Sequence, residues 1–152
     1  MFSQTAEYAL RAMTCLALSE SDRVASSTLA EQTHVPQDYL AKVLQLLAKA
    51  GLIVGRRGVG GGYRLARDAS QIRLLDVMNA VGTIERITTC PLGLPSHGTN
   101  LCSLHRKMDE VAKAVIDIFD DATLADLLTG PESSRPLCSA HDTPRPSAAA
   151  KP

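Results

Sequence analysis

Apolar residues recur at three- and four-residue steps from the start of the chain, at Ala6, Ala9, Leu10, Met13, Leu16 and Ala17. That stripe predicts an amphipathic helix over residues 3–18, with Cys15 off the apolar face as a small, inert residue. Residues 20–23 read as a polar turn. Residues 26–34 read as a short second helix, capped through Thr28 and Glu31 at capping-box spacing or by Ser26 or Ser27. After a turn at His34 and Val35, Pro36 suits the first turn of a third helix running to Ala50. Its apolar set is Tyr39, Leu40, Val43, Leu46, Leu47 and Ala50. Gln37, Asp38, Ala41, Lys42, Gln45 and Lys49 are left for the other face.

The pattern then changes period. An apolar run at 52–54 follows Gly51 and leads into a glycine-rich tip at 55–62 that carries Arg56 and Arg57; the chain returns through Tyr63 and Leu65. Alternation on both sides of a glycine tip predicts a β-hairpin, because glycine supplies the positive φ that tight turns need. Leu74, Leu75, Val77, Met78 and Val81 form another short helix ended by Gly82. Residues 88–101 hold Pro91, Gly93, Pro95, Ser96, Gly98 and Asn100, too many breakers for helix or strand. Next, Leu104, Met108, Val111, Val115 and Ile118 step 4-3-4-3 in a helix over 104–119, the heptad spacing of a seam for a partner helix. A short helix at 123–129 is expected, then a disordered tail rich in Pro, Ser, Ala and Thr.

A short helix, a tight turn and a longer helix with a polar, basic face make a helix-turn-helix, and the hairpin behind it makes a winged helix. The expected fold is mainly α with a small β-hairpin wing, plus a long dimerisation helix. It divides into a winged-helix DNA-binding domain (1–82), a cysteine-containing sensor loop (83–103), a dimerisation helix with a terminal helix (104–129) and a disordered tail (130–152).

Charge sharpens that reading. The formal net charge is zero, yet residues 36–67 carry Lys42, Lys49, Arg56, Arg57, Arg64 and Arg67 against Asp38 alone. A locally basic face on a neutral chain is the footprint of a polyanion partner. Acids dominate residues 106–132 instead. No stretch approaches the ~18 apolar residues of a membrane span. A basic leader with a cleavage site is also lacking, so a cytoplasmic protein is expected.

The glycine tip admits two chemistries, a phosphate cradle or a DNA-reading ribbon. A Walker loop ends in Gly-Lys-Ser/Thr and a dinucleotide fold needs a helix after the glycines. Here Gly60, Gly61 and Gly62 run into Tyr63-Arg64-Leu65, a strand pattern, which leaves the ribbon. Its arginines suit a minor groove or flanking phosphates.

Cys90 and Cys102 bracket the breaker-rich loop, and His105 follows Cys102 at Cys-x-x-His spacing. Thiolates and imidazole suit zinc or an iron–sulfur centre, with His97 as a further donor inside the loop. In a cytosolic chain such cysteines are free, metal-bound or redox-active rather than disulfide-bonded. Cys138 and His141 repeat the Cys-x-x-His spacing in the tail, which reads as coincidence. No general base stands beside a pocket, so an enzyme is not expected; a protein-interaction adaptor without DNA is the other class.

Tyr8-Ala9-Leu10, Tyr39-Leu40 and the wing from Arg57 through Gly62 to Tyr63 resemble the Rrf-type winged-helix transcriptional regulators, the family of IscR- and NsrR-like iron–sulfur regulators. The resemblance covers residues 1–128. It implies a homodimer crossed through the helix at 104–119, reading double-stranded DNA at a two-fold operator. It also implies an iron–sulfur cluster, two-iron or four-iron, whose state changes DNA binding. Cys90, Cys102 and His105 match its ligands. The family's middle cysteine would fall near Ser96 and is missing, which leaves the fourth ligand to Glu7 of the partner subunit or to His97. Two-iron is the favoured nuclearity, and a cluster-free regulator using thiols or zinc is the alternative. Ala41 stands where some relatives carry a glutamate facing bases. The expected DNA contacts are Ser27, Thr28, Gln37, Tyr39, Lys42, Gln45, Arg56, Arg57, Gly60, Gly61 and Tyr63.

Overall fold

Helix α1 (Gln4–Leu18) begins where Ala6 N–H donates to the Ser3 hydroxyl at 3.2 Å. The computed structural model describes residues 3–96, 100–131 and 136. Ala6, Ala9, Ala12, Met13 and Leu16 turn inward as the stripe requires. Cys15 departs from expectation. It is buried, and its thiol donates to Gln32 Oε1 at 2.9 Å, because the second helix packs over the flank that the stripe leaves open.

Helix α2 (Ser26–Thr33) starts after Ala25, which caps it without a side-chain bond. Ser26, Ser27, Thr28 and Glu31 are therefore helical positions, and neither expected cap forms. The turn that follows is a backbone device. His34 takes the left-handed conformation (φ 53°) and its N–H reaches the Ala30 and Glu31 carbonyls. Val35 N–H also bonds to Ala30 O at 3.2 Å, and the Val35 side chain is buried behind it.

Helix α3 (Gln37–Lys49) has Pro36 as its N-cap, one position before the first turn where it was expected. Leu40, Val43, Leu44 and Leu47 form its buried face. Leu44 replaces Leu46 and Ala50 in the expected set: Leu46 is 37% exposed and Ala50 is exposed. Steps of about 100° align residues 40, 43, 44 and 47 on one stripe, leaving 46 on its flank.

Strands β1 (Ile53–Arg56) and β2 (Gly62–Leu65) form the antiparallel hairpin, with Ile53 opposite Leu65 and Arg56 opposite Gly62. Tyr63 and Val24 exchange backbone bonds at 2.9 and 2.8 Å, which fastens β2 to the connection between α1 and α2. The wing's base is thus part of the core layer rather than a free arm.

Helix α4 (Leu74–Val81) ends at Gly82, as the apolar pattern predicts. Helix α5 (Ser103–Asp121) is the longest element, and none of its residues is buried. After it the chain comes back. Thr123 bridges Arg73, Leu74 N–H bonds to Ala122 O at 2.9 Å, and Leu124 N–H bonds to Ile72 O at 2.8 Å. Leu124 is fully buried among α1, α3 and α4 residues including Met13, Leu40 and Val77. The helix expected at 123–129 is reduced to a 3-10 turn, Asp126–Leu128. Pairing with Arg73 requires extended backbone at Thr123, and Asp126 fixes the corner by accepting the Thr123 N–H and hydroxyl, both at 2.7 Å.

Candidate nucleic-acid interface and cysteine loop

The exposed side of α3, the start of α2 and the wing enclose an open groove of about 510 Å³, lined by Ser26, Gln45, Ala48, Arg56, Arg57 and Tyr63 among others. Gln37, Lys42 and Gln45 stand exposed along α3, and Ser27 and Thr28 along α2. Tyr39 is placed differently from these. Its hydroxyl shares a 2.5 Å hydrogen bond with Thr5, and its ring meets Tyr8 edge-on at 5.4 Å, so it braces α3 against α1. Tyr63 lies across the wing: a Cβ on Gly55 would come within 2.9 Å of its ring.

Ion pairing separates this face from the rest of the surface. Arg11, Arg23, Arg67, Arg73, Arg86, Lys107 and Lys113 each have a carboxylate partner. Lys42, Lys49, Arg56, Arg57 and Arg64 have none among the described residues, and Arg106 is the one other described cation in that state. Among the described residues the uncompensated positive charge is therefore gathered on α3 and the wing, Arg106 excepted. Such a surface attracts phosphates without first having to break its own salt bridges.

The tip's glycines divide by cause. Gly58 and Gly60 have positive φ (90° and 70°) with open space where a side chain would be. Gly61 is held by close approach, since a Cβ would sit 2.4 Å from Arg56 O. Gly60 and Gly61, expected as DNA contacts, thus first of all shape the turn that presents Arg56 and Arg57.

The cysteine loop starts and ends near α5. Cys102 is the residue before the first turn of α5, and its Sγ lies 3.3 Å from His105 Nδ1. Cys90 is buried at 8% exposure, and Gly93 N–H turns back to its carbonyl at 3.0 Å. Among the described residues no three His, Cys, Asp or Glu side chains converge as a metal site. The structure therefore brings together two of the three expected ligands, Cys102 and His105, and does not join Cys90 to them. Donor chemistry fits iron or zinc; the convergence fits as far as a pair. Glu7 is exposed and ion-paired with Arg11, which also donates to Thr33 O at 3.1 Å. His97, Cys138 and His141 lie outside the described residues.

Two site residues carry no signal in the sequence. Arg86 grips Asp109 on α5 through Nε and Nη2, both at 2.6 Å, and Ile87 N–H donates to the same carboxylate at 2.9 Å. Those bonds, the arginine's first, hold the Asp109 carboxyl below the usual carboxylate range. Burial pushes the Cys15 thiol the other way, upward, which keeps it protonated and unreactive.

Residues 2–130 match the family described as "Rrf2: Iron-dependent Transcriptional regulator". The chain belongs to the Rrf2 family. It is 32% identical over 126 residues to the HTH-type transcriptional regulator IscR of Vibrio parahaemolyticus, covering 82% of this chain and 75% of that one. Its fold is similar to the solved structure of T. potens IscR, with a TM-score of 0.69, 26% identity, and 84% and 85% of the two chains covered. The crystal structure of Staphylococcus aureus CymR is similar too, with a TM-score of 0.66, 27% identity, and 85% and 98% covered. As an Rrf2-family member the protein is a DNA-binding transcriptional regulator rather than an enzyme. Among the described residues no helix is long and apolar enough to cross a membrane.

Proposed function

We propose that this Rrf2-family chain acts as a cytoplasmic homodimer that reads a two-fold DNA site, and that the loop between Cys90 and His105 tunes its binding. The division of labour follows the four segments 1–82, 83–103, 104–129 and 130–152. The carrying observation is the set of cations on α3 and the wing that have no carboxylate partner among the described residues, beside exposed Gln37 and Gln45. In this reading α3 enters the major groove, with Ser27, Thr28, Gln37, Lys42 and Gln45 toward DNA. Arg56 and Arg57 reach the minor groove or phosphates at the wing.

Dimerisation is assigned to α5. Leu104, Val111 and Ile118 are 64%, 65% and 67% exposed, in the heptad register of a helix seam. A monomer gains nothing from leaving that face in water, whereas a second copy of α5 covers it.

The loop is assigned an iron–sulfur centre, with Cys90, Cys102 and His105 as its protein ligands. Glu7 of the partner subunit, or His97, is the candidate for the fourth position. A centre of two irons suits the mixed donors better than one of four. When bound, it supplies a redox-, iron- or nitric-oxide-sensitive group at the first turn of α5. Support comes from the donor chemistry, the Cys102–His105 pair and the likeness to IscR. Glu7 would have to leave Arg11 to serve.

A second reading keeps the DNA-binding role and makes the loop a thiol or zinc sensor. The observation favouring it is that two donors meet where a cluster needs more. Metal and sulfide analysis of anaerobically purified protein, with its visible spectrum, separates the two. Iron with equimolar sulfide and charge-transfer bands supports the cluster; stoichiometric zinc or a colourless, metal-free protein overturns it. A gel shift on genomic fragments tests the DNA role, and binding at only the weak non-specific level would point to an adaptor.

A further inference from the structure

Val59 stands at the crown of the wing and, at 104%, is the most exposed of the large apolar side chains among the described residues. A lone apolar residue on a surface needs no explanation. This one is set apart by what holds it. Gly61 N–H bonds to Gly58 O at 2.9 Å, which closes residues 58–61 into a β-turn with Val59 and Gly60 as its central pair. The φ of 70° at Gly60 is the positive value that a type II turn places there. A Cβ on Gly61 would stand 2.4 Å from Arg56 O and 2.7 Å from Gly58 O, so the tip is a packed turn rather than a loose loop. Neither the turn nor the core needs an apolar side chain at position 59: glycines make the turn, and Val59 takes no part in the core.

Shape and charge both suit a narrow anionic cleft. Gly58 and Gly60 flank Val59 without side chains and with open space beside them, so the crown is one side chain wide. Such a tip fits the DNA minor groove, about 6 Å wide and too narrow for a helix about 10 Å across. Arg56 and Arg57, exposed and without a carboxylate partner among the described residues, precede the turn and can meet the phosphates that wall the groove. Val59 is β-branched and stiff at χ1, so seating it costs little rotamer freedom. On the groove floor A·T and T·A pairs show acceptors only, while G·C adds the guanine 2-amino donor. Methyl groups laid over that amino group strip its water and return no hydrogen bond, the loss suffered by any buried unpaired donor. We propose that Val59 is a specificity-determining residue that packs on the minor-groove floor beside each major-groove half-site and excludes guanine there. The inference rests on the reading of the wing as a DNA contact and adds what the wing tells apart.

The test uses full-length protein and duplexes that the wild type selects from a randomised pool. At the pairs beside each half-site, A·T is replaced in turn by G·C and by inosine·C, which keeps the major-groove face of G·C but lacks the 2-amino group. Wild type should bind the A·T and inosine·C duplexes nearly alike, and the G·C duplex about five-fold more weakly or worse at one or more of these positions. Val59→Ser puts a hydroxyl that can accept from the amino group in place of the methyls. It should bind all three duplexes nearly alike, with melting temperature and salt slope unchanged because no charge is altered. Wild-type binding that is equal for G·C and inosine·C at every such position overturns the proposal, as does discrimination that survives Val59→Ser. In both cases the DNA-reading role stands, since the selected duplexes are still bound. A pool from which no sequence is enriched, every duplex being held at the non-specific level, takes down that role and this inference with it.

Discussion

At residue scale, Arg57 and Gly62 serve the same wing for different reasons. Arg57 is exposed and lacks a carboxylate partner among the described residues, so its charge is available to phosphate. Arg57→Ala is expected to weaken DNA binding and flatten the salt dependence by about one counterion; an unchanged slope in titrations at several salt concentrations would remove the wing from the contact. Gly62 contributes by what it lacks. Its φ is 136°, and a Cβ would stand 2.6 Å from Val24 O, across the bond pair that fastens β2. Gly62→Ala should cost about 1–3 kcal/mol in urea unfolding, more than Gly58→Ala, where a Cβ meets nothing within 4 Å. The glycine motif was legible as a turn. Which glycine serves the turn and which the approach to Val24 was not, because Val24 reaches Tyr63 only in the folded chain.

At element scale, the helix pattern foretold α1, α4 and α5 closely and failed at the return after α5. The Leu124 region reads as helix, yet its backbone pairs with Ile72 and Leu74. Tertiary hydrogen bonding outweighs a weak helical preference in so short a segment. Leu124→Ala should therefore cost about 2–5 kcal/mol, a core-cavity effect, and lower the denaturant midpoint. A loss below about 1 kcal/mol would mean the return does not seal the core. The turn after α2 shows a similar limit. Nothing local marks His34 as left-handed, since asparagine or glycine would be the ordinary choice there.

At the scale of the whole molecule, zero net charge conceals a division of labour. Among the described residues, carboxylates neutralise most cations away from the proposed DNA face, while α3 and the wing keep theirs open. A second exposed surface is the apolar seam of α5, and the proposed dimer joins the two. Val111→Asp places a charge in the middle of that seam and should leave a folded monomer by sedimentation velocity. With one reading head instead of two, its DNA salt slope should fall to about half the wild-type value. A dimer that survives the substitution would place the interface elsewhere.

By itself the sequence determined the winged helix, the family and the basic face, and it nominated the candidate ligands. Each of these lives in local pattern: period, turn glycines, charge density and Cys-x-x-His spacing. Only the tertiary structure decided that Cys15 is buried, that Tyr39 braces α1, that Leu124 closes the core and that Cys102 meets His105 without Cys90. It also found the hold of Arg86 on Asp109, residues 23 apart in sequence. Contacts of that kind depend on which surfaces meet after the helices have packed, and hydrophobic period specifies which face turns inward but not which residue it will find there.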